Sequence, residues 1–194
     1  MMHVIANIDD CAILIGEFLD REYFQKISNF NFSNLDLNNS HEDWDKNLFK
    51  QNNEITMNNV IKTKSNIIEY EKGELKKCID PLFEKLIQVL IDCPFMPYEF
   101  NSLINLNYYE YDKFSGINWH DDGNYTLNYS FYIHDSWNKN WGGETLVDTG
   151  RGLPLATYPY PNSLLAVKNN IQHKVCPVTG PVKRKVLQIR GIFL

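Results

Sequence analysis

The sequence predicts a mainly-β, α+β fold: an antiparallel sandwich buttressed by helices that come before it in the chain. Two observations carry this. In the first half, apolar residues recur at helical steps of three and four; after Pro97 the period changes to two. Clusters of Gly, Asn, Asp and Pro then separate a series of strand-like runs. A chain of 194 residues that is 43% hydrophobic can bury one sizeable core. The expected organisation is therefore one domain over 1–194, with 1–97 as a helical support region and 98–194 as the β core.

Residues 11–19 (CAILIGEFL) read as a buried strand, and Asp20 as the N-cap of a helix that turns Tyr23, Phe24 and Ile27 to one face. Residues 29–59 are dense in Asn, Ser and Asp, with Trp44, Leu48, Phe49 and Ile55 scattered among them, and read as loop with room for a short strand. Over 66–92 a stripe of Leu75, Cys78, Ile79, Leu82, Phe83, Leu86, Ile87 and Leu90 predicts a long helix. Pro81 lies inside it and predicts a break or kink near Asp80. Residues 103–111, 125–133, 143–147, 163–168 and 184–193 are the predicted strands.

Composition excludes several classes. The net charge of −5 argues against a nucleic-acid partner, which would ask for a basic face. No run approaches the roughly 20 apolar residues of a spanning helix, and no basic segment precedes an apolar one at the start, so neither membrane nor signal peptide is expected. The four cysteines (Cys11, Cys78, Cys93, Cys176) form no paired motif. They are expected to be reduced thiols of a cytoplasmic protein, with buried packing roles for Cys11 and Cys78.

The chemistry lies between residues 118 and 184. His120 and Asp122 are two apart, so on an extended strand both project to one side while Asp121 points away. A His-x-Asp triplet alone more often marks a solvated turn. With His173 as a third donor from the 169–174 segment, the set suits a ferrous ion held on one face, with the opposite face open for an anionic ligand and O2. His3, His41 and His134 have no comparable partners. Lys183, Arg184 and Lys185 follow on the terminal strand, where alternation groups Arg184, Val186, Gln188 and Arg190 on one side.

Residues 100–194 resemble the Fe(II)- and 2-oxoglutarate-dependent dioxygenases, above all their prolyl 4-hydroxylase-like branch. The resemblance is carried by Tyr111 and Gly116 ahead of His120-x-Asp122, by Phe131-Tyr132, Trp137 and Gly142-Gly143-Glu144, and by His173 followed by Pro177-Val178 and Arg184. It implies a double-stranded β-helix (jelly-roll) core. It also implies Fe(II) on His120, Asp122 and His173, with 2-oxoglutarate and O2 as cosubstrates and ascorbate in support. Arg184 is the implied partner of the distal carboxylate of 2-oxoglutarate, with Lys183 the alternative, because several prolyl hydroxylases use Lys there. Tyr111 and Tyr132 are implied hydrogen-bonding partners of the cosubstrate, with Tyr109 a weaker candidate. Arg190 either joins Arg184 on 2-oxoglutarate, as in some relatives including the alkylated-base demethylases, or stands near the substrate where many prolyl hydroxylases carry Trp. Trp119 and Trp137 are expected in packing or at the rim, and Gly142-Gly143 in a turn of positive φ.

The implied reaction is decarboxylation of 2-oxoglutarate to succinate and CO2, coupled to C–H hydroxylation. Halogenase relatives carry a small non-ligating residue where this chain keeps Asp122, so hydroxylation is expected. A prolyl residue in a peptide or protein ranks first as substrate, a free amino acid or other small molecule second, and an alkylated nucleic acid third. The 148–161 loop, with Arg151, is a candidate frame for the entrance. From another class, the competing reading is a non-catalytic jelly-roll binding protein whose His-x-Asp is incidental.

Overall fold

A computed structural model describes residues 1–8, 11–39, 50–51, 54–55, 60–95, 104–123 and 127–191. The readings at His41, Trp44, Leu48 and Phe49, and the first residues of the strands begun at 103 and 125, lie outside them. The strands are β1 (His3–Ile8), β2 (Ala12–Gly16), β3 (Leu37–Asn39), β4 (Lys50–Gln51), β5 (Glu54–Ile55), β6 (Val60–Thr63), β7 (Ile68–Glu71) and β8 (Glu74–Cys78). After these come β9 (Ile104–Tyr111), β10 (Ile117–His120), β11 (Leu127–Tyr132), β12 (Thr145–Val147), β13 (Leu155–Thr157), β14 (Leu164–Lys168), β15 (His173–Val175) and β16 (Arg184–Gly191). Among the described residues, two α-helices, α1 (Arg21–Ser28) and α2 (Pro81–Ile91), accompany them.

The larger sheet runs β1-β2-β14-β11-β16-β9-β6-β3, and its pairings are antiparallel. The free edge of β9 is shared: its C-terminal half pairs with β6 and its N-terminal half with β7, which in turn pairs with β8. A smaller antiparallel sheet runs β10-β15-β12-β13. Two facing antiparallel sheets with helices on one outer face form the expected jelly-roll core.

Strand alternation sorts each residue of β16 to one of two cores. Leu187 and Ile189 join Tyr129, Phe131, Ile27, Phe83, Leu86 and Leu90 between the larger sheet and the helices. Val186 joins Tyr109, Tyr111, Tyr132, Leu165 and Val175 between the two sheets. Burying each such Leu or Ile stabilises the fold by about 1.5–3 kcal/mol. On the helix side, Phe131 lies 5.5 Å from Phe18 and 6.3 Å from Phe24 between ring centres.

Asp20 caps α1 as expected, its carboxylate accepting from Tyr23 N at 2.8 Å. The helix expected over 66–92 is corrected. Its first half is the β7–β8 hairpin, turned through Lys72 and Gly73, both at positive φ (51° and 81°), as a type I′ turn demands. Leu75 and Ile79, counted in the apolar stripe, are more than 40% exposed. Pro81 does not kink a helix but begins one. It occupies the first position of α2, where no N–H is needed, and Asp80 caps that helix by accepting from Leu82 N. The support region is thus only partly helical, since β1–β3, β6 and β7 complete the larger sheet. Cys11 and Cys78 pack against the two cores as expected but are only half-buried, and Cys93 is the buried cysteine. Among the described residues no helix is long and apolar enough to cross a membrane.

Candidate active site

β10 and β15 pair so that His120 stands opposite His173, with imidazole centres 4.4 Å apart. A carbonyl oxygen can only accept, so each ring donates through Nδ1: His120 to Asn118 O at 2.7 Å, His173 to Ile171 O at 3.0 Å. That fixes the tautomer of each neutral ring and leaves both Nε2 lone pairs for a metal. Asp122 lies just past the end of β10, before a turn at Gly123 (φ 65°). Asp121, just past β10, accepts from Gln172 Nε2 at 2.8 Å, tying the loop after β10 to the approach to β15.

One donor atom from each of His120, Asp122 and His173 lies within 4.8 Å of the other two, and His173 Nε2 is 3.2 Å from Asp122 Oδ2. The electrostatics suit a cation. Burial would push the Asp122 carboxyl up, but the hydrogen bond and charge of His173, with Arg190 and His120, outweigh it and hold it at about 2. Burial and the charge of His173 lower His120. Burial also works against a charged His173, yet the bond to Asp122 raises it. Two imidazoles and one carboxylate around an open volume fit Fe(II).

A cavity of about 390 Å³ runs from this cluster between the sheets to Arg184. Arg184 is 1% exposed. Its Nε donates to Gly143 O (3.1 Å), and one terminal nitrogen to Thr145 Oγ1 (3.2 Å) and Tyr132 OH (3.4 Å). The guanidinium lies over the rings of Tyr111 and Tyr132, at 4.8 and 5.0 Å. All three acceptors are neutral, so among the described residues no carboxylate pairs with this buried positive charge, an arrangement that costs free energy unless an anion completes it. A dicarboxylate cosubstrate fits that need. Burial pushes the Tyr111 phenol up to about 12, against the pull of Arg184, so it is a neutral donor at pH 7.

Lys183 points outward and pairs with Glu110 at 2.6 Å, so of these two neighbours it is Arg184 that faces the cavity. Arg190 lies by the histidine–aspartate cluster instead, 3.7 Å from Asp122 Oδ1 and donating to Tyr109 OH at 3.1 Å. Both Arg190 and Tyr109 line the cavity. Gly142 and Gly143 have φ of 67° and 69°, as the sequence implied. Trp137 packs on His134 and Trp141 and donates to Gly142 O, whereas Trp119 is 37% exposed near the rim. Arg151 is exposed and does not line the cavity.

Three polar residues given no site role from the sequence, Thr145, Asn128 and Gln188, line the cavity and are more than 90% buried. A signal existed for two of them. Asn128 interrupts the apolar run of β11 (LNYSFY), and Gln188 is in phase with Arg184.

Residues 105–189 match the family described as the 2OG-Fe(II) oxygenase superfamily. No curated protein matches by sequence. Among solved structures, the fold is similar to a Pseudomonas putida prolyl-4-hydroxylase at 12% identity and TM-score 0.63, covering 94% of this chain and 92% of that one. It is similar to an oxidoreductase of the 2OG-Fe(II) oxygenase family from Burkholderia pseudomallei at 14% identity and TM-score 0.67, covering 95% and 88%. A third is a Trichoplax adhaerens prolyl hydroxylase in complex with a hypoxia inducible factor oxygen degradation domain peptide fragment, at 14% identity and TM-score 0.59, covering 93% and 83%. The match over the strands that carry the site, and the His–Asp–His cluster within it, make this chain similar to the 2OG-Fe(II) oxygenase superfamily, with prolyl-4-hydroxylase-like structural neighbours.

Proposed function

We propose that the protein hydroxylates a prolyl residue within a peptide or protein, with His120, Asp122 and His173 holding Fe(II) and Arg184 holding the distal carboxylate of 2-oxoglutarate. When bound, the iron and 2-oxoglutarate supply the oxidising power: O2 is consumed, 2-oxoglutarate loses CO2 to become succinate, and one oxygen atom enters a substrate C–H bond.

The remaining work belongs to the protein. Backbone carbonyls at Asn118 and Ile171 hold the two imidazoles in the tautomer that offers Nε2. Tyr132, Thr145 and the Gly143 carbonyl orient Arg184, and Tyr111 walls the cosubstrate while offering a neutral hydroxyl donor. Leu165, Val167 and Val175 give the cavity an apolar part of its wall. Arg190, beside Asp122 and Tyr109, lends positive charge at the metal end. Keeping Asp122 fills the position that halogenation would need vacant, which favours hydroxylation.

The observation that carries the proposal is the gradient of burial along the cavity. Arg184 closes one end at 1% exposure, while His120 lies beside exposed Asp121 and Gly123 at the other. A metal at the open end is accessible to a residue still joined to a longer chain. Residues 1–194 act here as one domain, because strands from both halves share the larger sheet. Cys11, Cys78 and Cys176 as thiols suit a cytoplasmic setting.

The test is incubation with proline-containing peptides, Fe(II), 2-oxoglutarate and ascorbate. The expected result is the mass gain of one oxygen on proline, matched by succinate. The same gain on free amino acids, with none on peptides, would contradict the substrate class.

A further inference from the structure

We propose that Asn128 is a positioning residue for the Asp122 carboxylate, held in its working orientation by a one-way hydrogen-bond relay through Gln188 and Ser130. The inference rests on the metal assignment above and extends it to the opposite sheet.

Asp122 needs such support. It lies beyond the last residue of β10, between exposed Asp121 and Gly123, where no strand pairing fixes its backbone. Across the cavity, β11 and β16 pair Asn128 with Arg190 and Ser130 with Gln188. These four polar side chains face the space between the sheets, whereas the alternate residues Tyr129, Phe131, Leu187 and Ile189 pack on the helices. Asn128 and Gln188 are 7% and 8% exposed. Amides buried that deeply are costly unless their groups are bonded, so their arrangement follows the bonds they make.

Those bonds have a direction. The Ser130 hydroxyl donates to Gln188 Oε1 at 3.0 Å. Gln188 is thereby turned so that Nε2 donates to Asn128 Oδ1. Asn128 in turn presents Nδ2, which donates to Asp122 Oδ2. Flipping either amide would set acceptor against acceptor, in the case of Asn128 an oxygen against the carboxylate. On the other side of the carboxylate, Arg190 stands 3.7 Å from Oδ1. The relay therefore clamps one oxygen of Asp122 from the larger sheet while the two imidazoles approach from the smaller one.

The experiment is titration of the apo-protein with Mn(II), which accepts the same nitrogen and oxygen donors, by calorimetry, with the visible spectrum of the Co(II) form as second readout. Wild type is compared with Asn128→Leu, Gln188→Met and the double variant, each checked by thermal unfolding without metal. Asn128→Leu is expected to weaken Mn(II) about 10–100-fold and to change the Co(II) bands. Gln188→Met, which does not touch Asp122, is expected to weaken it in the same direction by less. The double variant is expected to be no worse than Asn128→Leu, because residues of one relay are not additive. If the amide variants do not fold, Ser130→Ala removes only the start of the relay and is expected to weaken Mn(II) several-fold. Wild-type affinity and spectrum in the folded variants would overturn this inference alone; a wild type that binds no Mn(II) would overturn it together with the metal assignment.

Discussion

His173 Nε2 lies 3.2 Å from Asp122 Oδ2, so without a metal these two side chains hold each other by a hydrogen bond that needs a proton on His173. That bond raises His173 above the ordinary imidazole value. A metal ion must displace the proton. Divalent metal binding near neutral pH is therefore expected to release a proton, and affinity to fall about tenfold for each pH unit below the His173 value. Calorimetry in two buffers of different ionisation heat measures that proton directly; equal apparent heats would show that His173 was already neutral.

Arg184 and Lys183 are adjacent in sequence and face opposite ways. Losing the charged hydrogen bonds from Arg184 to a cosubstrate carboxylate is worth about 1.5–3 kcal/mol, so Arg184→Gln is expected to raise KM for 2-oxoglutarate about 10–100-fold. Lys183 pairs with Glu110 outside the cavity, and Lys183→Ala is expected to leave that KM unchanged. Steady-state succinate release against 2-oxoglutarate concentration distinguishes the two.

What could be read from the sequence follows the range of the forces involved. The Asp20 cap, the side of β16 that carries Arg184 and the shared side of His120 and Asp122 are local geometry, visible in neighbouring residues. The pairing of His120 with His173 is not local: β10 and β15 are four and three residues long, too short for a periodic signal, so donor chemistry and the family resemblance, rather than local pattern, brought them together. The 68–78 hairpin was misread because Leu75, Cys78 and Ile79 fit a helical step by coincidence, while the Lys72-Gly73 turn that decides the matter occupies two residues. The Asn128–Gln188 relay needs the register of two strands distant in sequence, so only its polar interruptions of apolar strands were visible.

Gly142 and Gly150 have nearly equal φ, 67° and 71°, but different surroundings. A Cβ at Gly142 would meet Pro177 O at 2.2 Å, whereas nothing lies within 4 Å of one at Gly150. Gly150→Ala is expected to cost only the backbone strain, about 1–3 kcal/mol. Gly142→Ala is expected to cost clearly more, because a backbone carbonyl cannot rotate away. Urea midpoints of the two variants check the order; equal midpoints would contradict it.

His134 is buried behind Tyr132, its Nε2 donating to Pro159 O, and burial lowers it from 6.5 to about 4. The unfolded chain therefore takes up the proton first as pH falls. The contribution of His134 to stability is whole above pH 6.5 and is lost progressively down to about 4, a difference on the order of 3 kcal/mol. His134→Gln is expected to flatten the decline in unfolding free energy between pH 7 and 4, measured by urea titration on the metal-free protein. An unchanged slope would assign that decline to other groups.

The most direct test of the iron site is anaerobic titration of the metal-free protein with Fe(II), in wild type and in His173→Ala, followed by addition of 2-oxoglutarate and air. The expected result is one Fe(II) bound per wild-type chain with Fe(II)-dependent succinate release, and loss of both in a folded His173→Ala. Retention of tight stoichiometric iron by that variant would contradict the assignment of the three ligands.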